Sequence, residues 1–386
     1  MMIGPYPGSP DKIDGGAASA LTYLSQELAG RADIDLVGIR IADTSTASQS
    51  MGDFGWPIAD LPLGRLGLAT QYRQQRQSLE TLVDRFRPDI IHAQGIDLPG
   101  FIAVHSGVPS VVTVHGILSE ETRYGADLKS RARSFLSGWL LERPTVRRAR
   151  DLISISPYVT AHYGNLIGGR IHDVPNAIAP KYFGIRRSAQ RGRLLFAGRI
   201  IKRKGVLDLI RAVAASRRPD TRLVLAGAAS DPGYESLVRE EVSRLGMVDR
   251  IEFRGLLDEA SMLEEFSLAE ALVLPSYQET APMVVQQAMA TGLAVVATRI
   301  CGLPYQVEHE VTGLLYEAGA IDELTRFLSR IADDASLTVR MGDAGRKAAL
   351  ERFHAARVAD ATIRVYESMY RRATAGIRGT ARGGLK

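Results

Sequence analysis

The 386-residue sequence contains a single cysteine, Cys301, which excludes an internal disulfide and any cysteine-rich metal site and points to a reducing, cytoplasmic setting. It has no apolar run near the ~18 residues needed to span a bilayer, and Met1-Met2-Ile3-Gly4-Pro5 lacks the basic and apolar regions of an export signal. No G-x-G-x-x-G follows a strand-like run and no Walker loop occurs, which argues against a dinucleotide site or a phosphate-cradling P-loop. The histidines, His92 and His172 among them, show no metal-ligand spacing. Asp33-Ile34-Asp35 leads straight into an apolar run and reads as a strand-entry turn, so no metal is expected.

What is present is ordinary globular material: 45% hydrophobic and 24% charged residues. The length exceeds that of one domain, and two domains of roughly 150 to 200 residues are expected. The net charge of +5 lies in the last 34 residues, which carry seven basic against two acidic side chains. No nucleic-acid partner is expected. Residues Lys129 to Arg150 mix seven basic residues with Phe135, Leu136, Trp139, Leu140 and Leu141. Two readings stand side by side: a segment that rests on an anionic membrane surface, or an amphipathic helix whose apolar stripe packs on a sheet while its basic face is solvated.

Apolar runs bounded by turn residues recur, as in Ile34 to Ile41, Asp89 to Ala93, Ser110 to His115, Leu194 to Ala197, Leu223 to Ala226, Ala271 to Leu274 and Leu293 to Thr298. Helical patterns lie between them, including Ala17 to Leu28, Leu68 to Phe86, Val206 to Ala215 and Tyr234 to Leu245. Such alternation predicts parallel sheets covered on both faces. The expected architecture is α/β, two doubly wound Rossmann-like domains facing an interdomain cleft: residues 1–180, then 181–353. Only Met1 to Gly4 precede the Pro-rich loop, so the first strand is expected to be very short. The residues from 373 to 386 read as a mobile basic tail.

The chemistry concentrates at strand ends. Glu279 follows the strand Ala271 to Leu274 on a polar loop, and a helix opened by Pro282 begins close by. A carboxylate and a helix N-terminus aimed into one crevice suit a sugar joined to a diphosphate. Gln287, one to two turns into that helix, is expected to point back toward a ligand or into the sheet. Arg199 and Lys204, five residues apart after another strand, can both neutralise a diphosphate leaving group. Gly15-Gly16 opens a helix where backbone can approach a phosphate or sugar. His115 ends its strand, placed to hydrogen-bond a sugar hydroxyl or handle a proton.

Together these residues resemble a retaining glycosyltransferase of the GT-B fold, in family four. The resemblance spans nearly the whole chain: Gly15-Gly16, Arg87-Pro88-Asp89-Ile90-Ile91-His92, Val112 to Gly116, Val174-Pro175-Asn176, Gly198-Arg199 through Lys204-Gly205, and Pro275-Ser276 through Gly292. It implies that Arg199 and Lys204 bind the donor diphosphate and that Glu279 contacts the transferred sugar with help from the Ala281 and Met283 amides. It further implies that His115 lies by that sugar and Gly16 by the phosphates. No cofactor or metal is implied beyond a UDP- or GDP-linked sugar donor. The implied acceptor is a glycan or lipid-linked molecule of cell-envelope or exopolysaccharide biosynthesis, reached from the cytoplasm at the inner membrane face. The last helix, about 354–372, is expected to return to the N-terminal domain. Position 287, where the family carries a second Glu on the nucleotide ribose, is Gln here, and Tyr305 stands where an acid is common. A sugar-nucleotide epimerase and a non-catalytic sugar-nucleotide binder are the competing functions.

Overall fold

The computed structural model describes residues 1–386 except 10–12, 14, 43–48, 51–53, 64–69, 123–131, 133–134, 217 and 384–386. The chain divides into two compact units. The first comprises described residues of Met1–Thr122, Lys129–Ala177 and Ala355–Lys386, and the second Ile178–His354.

The first unit is built on eight strands: β1 (Met2–Gly4), β2 (Gly38–Ala42), β3 (Gln49–Ser50), β4 (Ile58–Pro62), β5 (Ile91–Gln94), β6 (Ser110–Val114), β7 (Asp151–Ser154) and β8 (Arg170–Asp173). They lie in the order β3-β4-β2-β1-β5-β6-β7-β8, parallel throughout except for β3 on β4. The second unit has six parallel strands, β9 (Arg193–Ala197), β10 (Arg222–Ala226), β11 (Ile251–Gly255), β12 (Ala271–Leu274), β13 (Ala294–Thr298) and β14 (Gly313–Tyr316), ordered β11-β10-β9-β12-β13-β14. Both are doubly wound Rossmann-like sheets. Their central strands are apolar on both faces, Leu272-Val273-Leu274 for example being fully buried, because helices cover each side.

Strand order decides where ligands can sit. In the first sheet the winding reverses between β1 and β5, and in the second between β9 and β12; loops after such strands diverge and leave a crevice at their carboxyl ends. The loops carrying Gly15, Lys204 and Glu279 all follow one of these strands.

Several expected bounds move, each for a local reason. The strand expected from Ile34 begins at Gly38, because both of its neighbours, β1 and β4, start opposite Gly38. The helix expected over Leu68 to Phe86 runs Arg73–Phe86: Gln71 and Tyr72 take left-handed backbone (φ 48° and 54°) that no helix can include, and 68–69 lie outside the described residues. The helices Gly16–Ala29 (α1) and Val206–Ala215 (α2) lie where the pattern predicts.

The segment from Lys129 to Arg150 is described only in part. A π-helical stretch, Gly138–Glu142, passes into a helix over Arg143–Arg148. Leu141 and Val146 are buried, whereas Phe135 and Trp139 are 67% and 58% exposed. A fully packed apolar stripe is therefore not what forms.

The last helix, Ala355–Gly383 (α5), follows Ala335–Arg352 (α4), extends past the expected residue 372 and belongs to the first unit. Polar ties fasten it there. Asp360 pairs with Arg31, Tyr366 bonds His92, and Arg372 reaches Asp151, which also accepts from His172 at 2.8 Å. The Asp151 carboxylate is buried, and a buried acid that loses its partners, or a buried donor that loses its acid, is costly. Asp151→Ala is expected to destabilise the first unit by about 2–3 kcal/mol and Arg372→Ala by less, since His172 still serves the acid; urea midpoints of the two variants measure this.

Candidate functional site

In the second unit two loops lock together at the reversal between β9 and β12. After β9 the chain makes a short 3₁₀ turn, Lys202–Lys204, and enters α2 through Gly205 in left-handed backbone at φ 66°. A Cβ at position 205 would stand 2.1 Å from the Pro275 carbonyl oxygen, so only glycine lets the first loop close on the second. The clasp is then sewn by Tyr277 N–H donating to the Arg203 carbonyl at 2.8 Å and by the buried Arg203 guanidinium donating to the Gln278 side chain.

This packing sets Lys204 against Glu279. The ammonium donates to Glu279 Oε1, and Ser276 Oγ donates to the same oxygen at 2.8 Å. The two charged side chains are only 13% and 7% exposed, so each depends on the other for its charge to be tolerated. The Glu279 backbone is held as well, its carbonyl accepting from Gly302 N–H at 3.1 Å. Thr298 Oγ1 fixes the loop by donating to the Ser276 carbonyl at 2.6 Å. Helix Met283–Thr291 (α3) begins just beyond, with Pro282 at its N-cap rather than inside its first turn. The Ala281 and Met283 side chains are buried, and the first amides of α3 have no carbonyl within the helix. Arg199 is exposed and, among the described residues, has no side-chain hydrogen bond or ion pair.

Gln287 has a protein partner of its own. Its Nε2 donates to the buried Tyr182 hydroxyl at 3.0 Å, that hydroxyl donates to Glu259 Oε1 at 3.3 Å, and Lys181 pairs with Glu259. Sequence reasoning missed Tyr182, Glu259 and Ser276. Ser276 stood three residues before Glu279 inside the motif and was legible; Tyr182 and Glu259 are 77 residues apart and carried no signal.

In the first unit Gly15 has φ 91° and caps α1, which starts at Gly16. His115 follows β6, with Nε2 2.5 Å from Gln94 Oε1. A small cavity beside it is lined by His92, Gln94, Thr113 and Asn176, and by Ala20 and Leu24 of α1. Burial pushes the His115 pKa down to about 4, with Asn176 opposing slightly, and the His92 pKa down to about 3, with His115 adding to the effect. Gln94 and His92 are a further miss. Among the described residues, no cluster of three or more His, Cys, Asp or Glu could hold a metal ion.

Two families match this chain: glycosyl transferases group 1 over residues 183–348 and a glycosyl transferase 4-like domain over 15–177. Alpha-maltose-1-phosphate synthase of Mycolicibacterium smegmatis is 31% identical over 289 residues, 68% of this chain and 74% of that protein. D-inositol 3-phosphate glycosyltransferase of Streptomyces coelicolor is 34% identical over 185 residues, 44% of this chain and 40% of that protein, so the match spans about two fifths of that relative's length. Among solved structures, sucrose-phosphate synthase from Thermosynechococcus elongatus aligns with a TM-score of 0.79 at 21% identity, covering 96% of this chain and 98% of that one. HepE of Anabaena in complex with UDP-glucose gives 0.75 at 19%, covering 95% and 98%. The fold is the GT-B fold of glycosyltransferases. The chain belongs to the glycosyl transferases group 1 family.

The two depressed imidazoles make stability depend on pH. Between about pH 4 and the ordinary value of 6.5 the unfolded chain binds protons at both positions and the folded chain does not. Stability therefore falls as pH drops through that window, by about 2.7 kcal/mol per pH unit for two sites, and neither histidine contributes above it. Denaturation midpoints between pH ~6 and ~5, inside that window, are expected to approach this slope, and His115→Asn to remove about half of it; an unchanged slope in that variant would contradict the assignment.

Proposed function

We propose that the protein is a retaining, metal-independent hexosyltransferase that moves a sugar from a nucleotide diphosphate donor to a glycan or lipid-linked acceptor in cell-envelope or exopolysaccharide biosynthesis. The observation that carries this reading is the Lys204–Glu279 pair, 13% and 7% exposed, at the reversal of the second sheet, with Arg199 on the same loop as Lys204, exposed and, among the described residues, without a side-chain partner. An ammonium has three donors. Lys204 can keep one on Glu279 and turn the others to a diphosphate oxygen, so an anionic donor is tolerated next to an acid. Arg199 adds a second cation where negative charge grows on the leaving group. Glu279 Oε2 and the amides of Ala281 and Met283 are then available to the hydroxyls of the transferred sugar. In the first unit, Gly15 and Gly16 are the proposed backbone approach to the phosphates, and His115 the proposed hydroxyl ligand. Gln287 retains a carbonyl acceptor for the nucleotide. A UDP-linked sugar is the first donor to try, because HepE, similar in fold, is known with UDP-glucose; GDP-linked sugars are the second.

Glu279→Gln keeps the shape of the pair and is expected to lower kcat/KM for the donor by about 10²–10³, with Arg199→Ala costing about 10². Unchanged turnover in both variants would sink the reading. A nucleotide sugar that raises the melting temperature yet is never transferred to any acceptor would favour a non-catalytic binder instead.

For the acceptor side, the exposed Phe135, Leu136 and Trp139 are followed in the sequence by the exposed Arg143, Arg147 and Arg148. This pairing of apolar anchors with basic residues supports peripheral contact with an anionic membrane. No described helix is long and apolar enough to cross one. Phe135→Ser/Trp139→Ser is expected to weaken binding to phosphatidylglycerol vesicles about tenfold or more while leaving thermal stability unchanged; equal co-sedimentation of variant and wild type would contradict it.

A further inference from the structure

A continuous chain of polar groups, buried at His92 and Gln94 and half-buried at its two ends, crosses the first unit from α5 to the end of β6. Tyr366 Oη lies 2.6 Å from His92 Nδ1, His92 Nε2 lies 3.0 Å from Gln94 Nε2, and Gln94 Oε1 lies 2.5 Å from His115 Nε2. The polarity of this chain is dictated by the amide in its middle. An amide oxygen only accepts, so His115 Nε2 must carry a proton. An amide nitrogen only donates, so His92 Nε2 must be bare and its proton must sit on Nδ1, facing Tyr366.

The orientation of the amide has its own support. The second N–H of Gln94 faces the Met2 sulfur at 4.0 Å, and that sulfur also receives Ser25 Oγ–H at 3.2 Å. Turned over, the amide oxygen would meet a sulfur that has no proton to give. The Thr113 hydroxyl, 2.6 Å from His92 Nε2, directs a second donor at the same bare nitrogen. Space for the crossing comes from Gly4 on β1, where a Cβ would stand 2.9 Å from Gln94 Cβ.

We infer that Gln94 is a positioning residue that fixes His115 as the neutral Nε2–H tautomer, so that the ring offers its ligand a lone pair at Nδ1, and that Tyr366 on α5 sets this tautomer through His92. In this role His115, whose ring also bonds the Asn176 side chain, is an acceptor for a sugar hydroxyl and not a proton donor. The ionisable groups facing the chain are the two imidazoles themselves, the Tyr366 phenol with the Tyr6 phenol that acts on it, and the Met1 amino group, which bonds the Ile90 carbonyl and feels Asp89. Asp33, Asp35, Arg87, Asp89, Glu367 and Tyr370 line a second cavity on the His92 and Tyr366 side, whereas the remaining side chains of the cavity at His115 carry no charge. The depressed pKa values of both imidazoles agree with a chain that is neutral throughout.

The inference rests on the proposed function only for the nature of the ligand, and the decisive readout does not need activity. Long-range ¹⁵N–¹H correlation spectra of histidine-labelled protein report which imidazole nitrogen holds the proton. Wild type is expected to show His115 protonated at Nε2 alone from pH ~7.5 down to ~5.5. Tyr366→Phe removes the acceptor of the His92 proton, reverses the tautomer of His92 and turns the amide, so His115 should change tautomer without being touched. Gln94→Glu keeps an accepting oxygen and adds a charge, so His115 should bind a second proton with its pKa raised by about one unit or more. Its transfer rate should then gain an acidic limb absent from wild type. Gln94→Met should lower kcat about tenfold with donor KM changed by less than about twofold. Wild-type His115 protonated at Nδ1, or a His115 tautomer that is the same in Tyr366→Phe and Gln94→Met as in wild type, overturns the inference. Loss of all transfer with these spectra intact would instead count against the transferase reading alone.

Discussion

The second unit depends on one electrostatic constraint: an acid and an ammonium that are both nearly out of water and must therefore stay together. Lys204 and Glu279 sit on loops that follow different strands, 75 residues apart in sequence. Their meeting requires the strand order to reverse between β9 and β12, Gly205 to admit the Pro275 carbonyl, and Arg203 to stitch itself to Gln278. Each of these features is explicable once the pair is taken as the fixed point. The pair also shows how the proposed diphosphate donor could lie beside an acid, since the lysine has donors for both.

The first unit is organised by a different device. Its polar chain carries no net charge, and its information lies in direction rather than strength. Every link has one donor and one acceptor, so a change of one proton's address at Tyr366 is felt at His115. Such chains cost desolvation at each member, which complete hydrogen bonding repays. They also tie the end of the polypeptide, α5, to the chemistry of a strand near its beginning.

The repeating alternation of strand and helix was legible, because parallel strands buried on both faces need unbroken apolar runs and their helices need amphipathic ones. Val206–Ala215 and the loop from Pro275 to Gly292 follow the sequence pattern closely. What sequence could not show is partnership. Glu279 and Lys204 were recognisable singly, but their ion pair depends on backbone clearance at Gly205. Gln94 was unremarked because an amide in a strand-end motif has no pattern until its two histidines are seen on either side. The strand at Gly38 and the helix at Arg73 started late for reasons that lie in neighbours and in two left-handed residues, and window-based periodicity contains neither.

The hydroxyl of Tyr182 has a single proton, and it is spent on Glu259. Position 287, on the hydroxyl's other side, must therefore supply a hydrogen rather than seek one, which an amide can do and a carboxylate cannot. Residues 259 and 287 are in this sense two ends of one lock: an acid is accommodated at either, but two acids would compete for one proton and repel across a buried ring. A glutamate introduced at 287 would thus need a compensating change at 259, so the two positions are expected to drift as a pair among related chains rather than independently.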